Sequence, residues 1–195
     1  MVDVTDTANS GGATLPEAAT CPGPESTVLV WDPLVRAFHW SLVVAFVIAW
    51  VTGDELERLH ELAGYTIAGL LAVRVVWGFL GTRHARFTDF VYRPSTILRH
   101  LADTMRLRAK RYLGHNPAGG AMAIALMAML AVTTATGIAM SGDGASGGEW
   151  LEELHEVAAN LSLVLVGLHL AGVLVTSVEQ RENLVKAMIS GRKRR

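Results

Sequence analysis

Cysteine is almost missing from this chain. Its 195 residues include one, Cys21. A single thiol closes no internal disulfide, and no second Cys or His stands beside it to build a metal site. It reads as a chance thiol in a polar stretch. No Cys-x-x-Cys-His run occurs, which excludes covalent c-type haem attachment. The chain also has no basic start followed by an apolar core, so residues 1–26, rich in Thr, Ala, Gly, Pro and acids, are expected to form a disordered tail and not a signal peptide. Periodic apolar stripes of the kind that mark soluble helices are scarce as well. Net charge is close to zero, at −1. No nucleic-acid partner is expected.

What the sequence does have is hydrophobicity, 51% of residues, gathered in blocks. That is the pattern of a membrane protein. Four blocks are long enough to span a bilayer as helices, at about 34–52, 59–80, 118–140 and 151–176. Thr27–Asp32 is a short apolar lead-in, and Pro33 suits a first helical turn. Between the second and third blocks lies a long basic connection. Within it Pro94-Ser95 opens a helix in which Ile97, Leu98, Leu101 and Met105 recur at helical spacing. Arg99, Arg106, Lys110 and Arg111 occupy mainly the other face, as in an amphipathic helix lying on a membrane surface. The expected fold is all-α: an antiparallel four-helix transmembrane bundle, with this amphipathic cytoplasmic helix between helices two and three. The bundle domain is placed at 27–191 and a basic C-terminal tail at 192–195.

Charge sets the expected orientation. The second connection carries Arg83, Arg86, Arg93, Arg99, Arg106, Arg108, Lys110 and Arg111, and the final segment carries Arg181, Lys186 and Arg192 to Arg195. The other two loops hold Arg58 beside Asp54, Glu55, Glu57, Asp143, Glu149, Glu152 and Glu153. Basic loops stay in the cytoplasm. Both termini are therefore expected on the cytoplasmic side, with four spans and an acidic outer face.

The fourth block holds two histidines, His155 and His169. They are fourteen residues apart, close to four whole turns, so both rings leave nearly the same face about 20 Å apart along the axis. An imidazole inside a bilayer is costly and tends to mark a site with a partner. With the expected topology, His39 near the start of the first helix lies at the depth of His169. His60, at the head of the second, lies at the depth of His155. Two levels, each with two imidazoles, suit two stacked haems with histidine on both axial positions. One ion held by all four is excluded, because the levels lie too far apart. His84 and His100 are expected at the lipid headgroups, and His115 in a local hydrogen bond. Gly64, one turn after His60, and Gly172 leave room for a flat ring or for helix packing. Arg74 stands fourteen residues after His60 and should reach the inner level, to meet a haem propionate or to snorkel to the headgroups. Arg36, one turn before His39, has the same two readings.

These residues together resemble a known family. Val30-Trp31-Asp32, Arg36 and Phe38-His39-Trp40 resemble the opening motif of the bacterial cytochrome b561 family, which includes the b-type cytochrome subunit of nickel–iron hydrogenases. His60 with Gly64, Arg74 and Trp77-Gly78 resembles its second helix, and Gly114-His115-Asn116-Pro117-Ala118-Gly119 the turn before its third. His155 and His169 resemble the histidines of its fourth. The likeness covers about Val28 to Gly191. It implies a di-haem b membrane protein passing electrons between a quinone and a redox partner, a hydrogenase or a c-type cytochrome. It also implies axial pairs His39–His169 and His60–His155. Two alternatives stay open at this point: a stand-alone quinone oxidoreductase using a small oxidant or reductant, and a haem-free membrane anchor.

Overall fold

The structure is a computed structural model that describes residues 27–53, 55–82, 85–106, 108, 110, 112, 114–141 and 148–194. The tail at 1–26 with Cys21, and the loop residues Asp54, Arg83, His84, Arg111, Asp143 and Arg195, lie outside the described residues. In chain order the elements are β1 (Thr27–Leu29), α1 (Pro33–Thr52), α2 (Glu57–Leu80), α3 (Phe87–Phe90), α4 (Pro94–Met105), α5 (Pro117–Met140), α6 (Gly148–Glu179), α7 (Leu184–Ser190) and β2 (Arg192–Arg194).

Four helices, α1, α2, α5 and α6, are long and apolar enough to cross a membrane, with 20, 24, 24 and 32 residues. At about 1.5 Å per residue each reaches across a hydrocarbon layer of about 30 Å. The chain is an all-α membrane bundle. Packing is closest between α1 and α2, α2 and α5, and α5 and α6. Ala45, Ile67, Leu71 and Leu130 form the buried seam where α1, α2 and α5 meet. Large apolar side chains such as Val44, Val51, Phe79 and Leu174 point outward, as a lipid solvent permits.

Local chemistry starts the helices where the sequence suggests. Both α1 and α5 open on an N-cap followed by proline. Asp32 Oδ1 accepts from the Val35 amide at 2.8 Å, and Asn116 Oδ1 accepts from the Gly119 amide at 2.6 Å. Each cap satisfies a donor that the first turn leaves free, and Pro33 and Pro117 have no N–H to leave unpaired. Asp32 does more than cap. Its Oδ2 accepts from Thr82 Oγ1 at 2.5 Å and from Trp77 Nε1 at 3.2 Å, so it staples the start of α1 to the end of α2. Burial pushes this carboxyl up, but the hydrogen bonds from Thr82, Val35, Trp77 and Leu34 outweigh it and hold the group below its ordinary value.

The starts of α1 and α5 and the ends of α2 and α6 share one end of the bundle. There β1 and β2 pair antiparallel, Thr27 opposite Arg194 and Leu29 opposite Arg192. This two-stranded ribbon is absent from the sequence reading, which leaves Arg192–Arg194 in a tail. The amides of Val30 and Trp31 both donate to the Gly191 carbonyl, at 2.9 and 3.1 Å. Gly191 ends α7 at φ +77, and a Cβ there would lie 2.7 Å from the Trp31 carbonyl oxygen. Only glycine fits both constraints. Val30, Trp31, Val35 and Ala85, with Trp77 and Met188, make a second small core beneath the ribbon.

α4 begins at Pro94 as expected, and its Leu98 and Met105 are 67% and 87% exposed. His100 departs from expectation. It is 5% exposed and sits edge-on to Tyr112 with ring centres 5.5 Å apart, not at the headgroups. Burial pushes its pKa down, and Glu179 and Asp103 offset this only in part. The short helices α3 and α7 are also unforeseen by the hydropathy pattern.

Candidate functional site

At the end of the bundle opposite the ribbon, a tight turn joins α1 to α2. The Leu56 amide donates to the Thr52 carbonyl at 3.1 Å, and the His60 amide to the Leu56 carbonyl at 2.9 Å. This brings the His60 ring against the last turns of α1, where its Nδ1 lies 2.9 Å from the Ala49 carbonyl oxygen. A carbonyl can only accept, so Nδ1 carries the proton and Nε2 keeps its lone pair. The same logic holds across the bundle. His155 Nδ1 on α6 lies 3.0 Å from the Thr133 carbonyl and 3.1 Å from Thr136 Oγ1, both on α5. Both imidazoles are thus fixed by one nitrogen, with the other free to bind.

The His60 and His155 rings face each other with centres 6.0 Å apart and planes at 74°. An imidazole nitrogen binds a transition metal at about 2 Å and the ring centre lies about 1 Å behind it, so two rings flanking one metal stand about 6 Å apart. A cavity of about 310 Å³ opens beside them, lined also by Phe46, Trp50, Gly64 and Gly137. A Cβ at Gly64 would meet nothing within 4 Å. Among the described residues no group of three or more His, Cys, Asp or Glu is arranged to hold an ion. A pair of facing imidazoles in an apolar slot lacks the further ligands a bare ion needs. It fits a metal that brings its own equatorial ring, such as haem.

Nearer the ribbon, His39 on α1 and His169 on α6 lie within electrostatic reach of each other. His39 Nδ1 is buried without a hydrogen-bond partner, and its ring meets Trp40 edge-on at 5.3 Å. A Cβ at Gly172, beyond His169, would also meet nothing within 4 Å. Arg74 does not snorkel. It is 5% exposed, its guanidinium stacks on Phe87 and Phe90 at 5.4 and 5.7 Å, and its NH1 has no partner. Arg36 turns toward the end of α7, with NH1 3.4 Å from the Ser190 carbonyl and Nε buried without a partner.

His115 lies in the turn before α5 as expected, but not in the local hydrogen bond expected of it. Its ring is wedged between Trp31 and Phe90, with centres 4.7 Å away in each case. Nδ1 is buried and makes no local hydrogen bond. Burial, then the neighbouring charges of Arg74 and Lys193, push its pKa down to about 3, so the ring is neutral. His169 also lies within its electrostatic reach. The available signal was position: a residue just before the α5 cap must fall at the end of the bundle shared with His39 and Arg74.

Four membrane-spanning helices, three of them carrying histidines, with the His60 and His155 rings brought together beside a largely apolar cavity, point to a membrane cytochrome of the b type. The comparisons with known proteins agree. The family model for prokaryotic cytochrome b561 matches residues 30–191, and the chain belongs to that family. Among its curated relatives is the "Probable Ni/Fe-hydrogenase B-type cytochrome subunit" of Bradyrhizobium diazoefficiens, 24% identical over 98% of each chain. Proteins of the same description from Cupriavidus necator and Rhodobacter capsulatus are 24% and 25% identical, covering 83% and 85% of this chain and 85% and 81% of theirs. No solved structure matches the chain significantly. The protein is a multi-pass bacterial membrane cytochrome of haem b, and its function is electron transfer.

Proposed function

We propose that this chain holds two b haems, each between two histidines, and carries electrons across the bacterial inner membrane between a quinone and a redox partner protein. The observation that carries the reading is the His60–His155 pair, two imidazoles 6.0 Å apart with both Nδ1 atoms held on helix carbonyls. His39 and His169 would form the second pair, nearer the ribbon. When bound, haem supplies one-electron chemistry. The protein's part is to orient the ligands, exclude water and neutralise charge. Gly64 leaves the space a macrocycle needs beside α2, and Arg74 and Arg36, with buried guanidinium nitrogens lacking partners, are the cations offered to propionate carboxylates.

The partner is proposed to be a hydrogenase, in keeping with the names of the relatives. Both termini, with α4 along the surface and the ribbon, are proposed to face the cytoplasm, since that end carries the basic connection and the basic final strand. α4 would lay exposed Leu98, Leu101 and Met105 against the lipid. The test is a pyridine haemochrome count on purified protein with a redox titration. Two haems per chain with two resolved potentials are expected; an absence of haem would return the chain to the membrane-anchor reading.

A further inference from the structure

The Nδ1 atoms of the membrane histidines are held differently at the two ends of the bundle. At the turn end both rings are tied, His60 Nδ1 to the Ala49 carbonyl at 2.9 Å and His155 Nδ1 to the Thr133 carbonyl at 3.0 Å. Toward the ribbon, His39 Nδ1 is buried with no partner. Thr136 sharpens the difference. It is 7% exposed, about one turn from the end of an apolar helix. Its hydroxyl has one proton, and that proton is taken by the carbonyls of Val132 and Thr133, 3.0 and 2.9 Å away. What it turns toward His155 Nδ1, at 3.1 Å, is therefore a lone pair. The Nδ1–H of His155 is shared between two acceptors one helical turn apart, a carbonyl and a hydroxyl.

We propose that Thr136 is a positioning residue for His155, and that the His60–His155 level has the lower reduction potential of the two. The inference rests on the two-haem reading above. An imidazole whose N–H is drawn toward an oxygen is a stronger electron donor at its other nitrogen. A more basic axial ligand favours the oxidised metal, so the potential falls. His39 lacks that pull. The buried cation Arg74, which neighbours His115 as His169 does, favours the reduced form at the ribbon end. Both effects have the same sign. Electrons entering at the turn end would run downhill toward the ribbon.

The experiment is a redox titration of the purified protein, followed at the haem α band and by low-spin EPR, after a haemochrome count has established two haems per chain. Thr136→Val keeps the branched shape and removes the lone pair; Thr136→Ser keeps the lone pair. We expect Thr136→Val to raise the lower of the two potentials and to shift the EPR signal of that same component, and Thr136→Ser to stay close to the parent. His39→Ala should perturb the higher-potential component. A Thr136→Val protein with both potentials unmoved, or with the upper one moved, overturns the role of Thr136. If Thr136→Val does not assemble, His39→Ala tests the ordering alone, and a change in the lower component overturns it. A count below two haems would instead remove the reading on which the inference stands.

Discussion

The Cβ that Gly137 lacks would lie 3.2 Å from Cε1 of His155 and 3.5 Å from its Nδ1. Gly137 lies in the last turn of α5, where glycine gives up some helix stability relative to alanine and leaves room for the ring. Gly137→Ala should leave the bundle at least as stable by thermal melting in detergent. It should also displace the His155 ring by a few tenths of an ångström, and so move the α-band position or the potential of one haem and not of the other. An unchanged spectrum in both components would mean that α5 can shift away instead.

Ligand pairing gives the second expectation. His60→Ala and His155→Ala should perturb one and the same potential, and His39→Ala and His169→Ala the other, because two axial imidazoles must stand at one depth on opposite sides of one ring. Loss of one ligand need not expel the haem; a high-spin, five-coordinate spectrum is an equally good sign. Alteration of a shared component by His39→Ala and His60→Ala would break the proposed arrangement.

Two groups outside the spans make the ribbon end sensitive to acid. Burial holds the His115 pKa at about 3 in the folded chain, below the ordinary 6.5. The unfolded chain therefore binds the extra proton first, and stability falls as pH drops from 6.5 toward 3. The Asp32 carboxyl lies below its ordinary 3.8, so its contribution holds above that pH and is lost as pH falls through the lowered value. His115→Leu should flatten the first part of the melting-temperature profile and leave the second. Asp32→Asn should flatten the second; asparagine caps a helix as well as aspartate, so any loss of stability at neutral pH would come from the oxygen that Thr82 and Trp77 donate to. Profiles unchanged between pH 7 and 3 in His115→Leu would show that the ring is not held neutral.

Topology is accessible to labelling. In a Cys21→Ser background, a membrane-impermeant thiol reagent applied to intact cells should label Gly147→Cys and leave Arg194→Cys untouched. The opposite result would invert the orientation proposed from charge. The ligand pairs would survive it, because both levels invert together.

The spans were legible because each is a run of about twenty apolar residues, a length that the bilayer dictates whatever the packing. The facing of His60 and His155 was legible from helical spacing and charge bias. Other features were not. The strand Arg192–Arg194 has no alternation and no β-branched residue, and it is a strand only because Thr27–Leu29 lies beside it. His115 looked like a loop histidine, since its burial comes from Trp31 and Phe90, which reach it from elements far away in sequence. Thr136 was invisible for another reason. Threonine in a membrane helix ordinarily bonds back to its own helix, and only a ring arriving from α6 gives its lone pair a use.

The ribbon has a consequence for how the chain is put together. Its two strands are separated by all four spans, so it closes the longest loop in the fold. A contact of that range is the most costly in chain entropy to form early. During synthesis β1 emerges first and must wait until α6 and α7 have been made. Until then the amides of Val30 and Trp31 lack the Gly191 carbonyl on which they end, and Trp31 cannot close over His115. Closure of the ribbon thus reports that assembly is complete. A chain stalled before α7 should keep its ribbon end open to protease even with every span inserted.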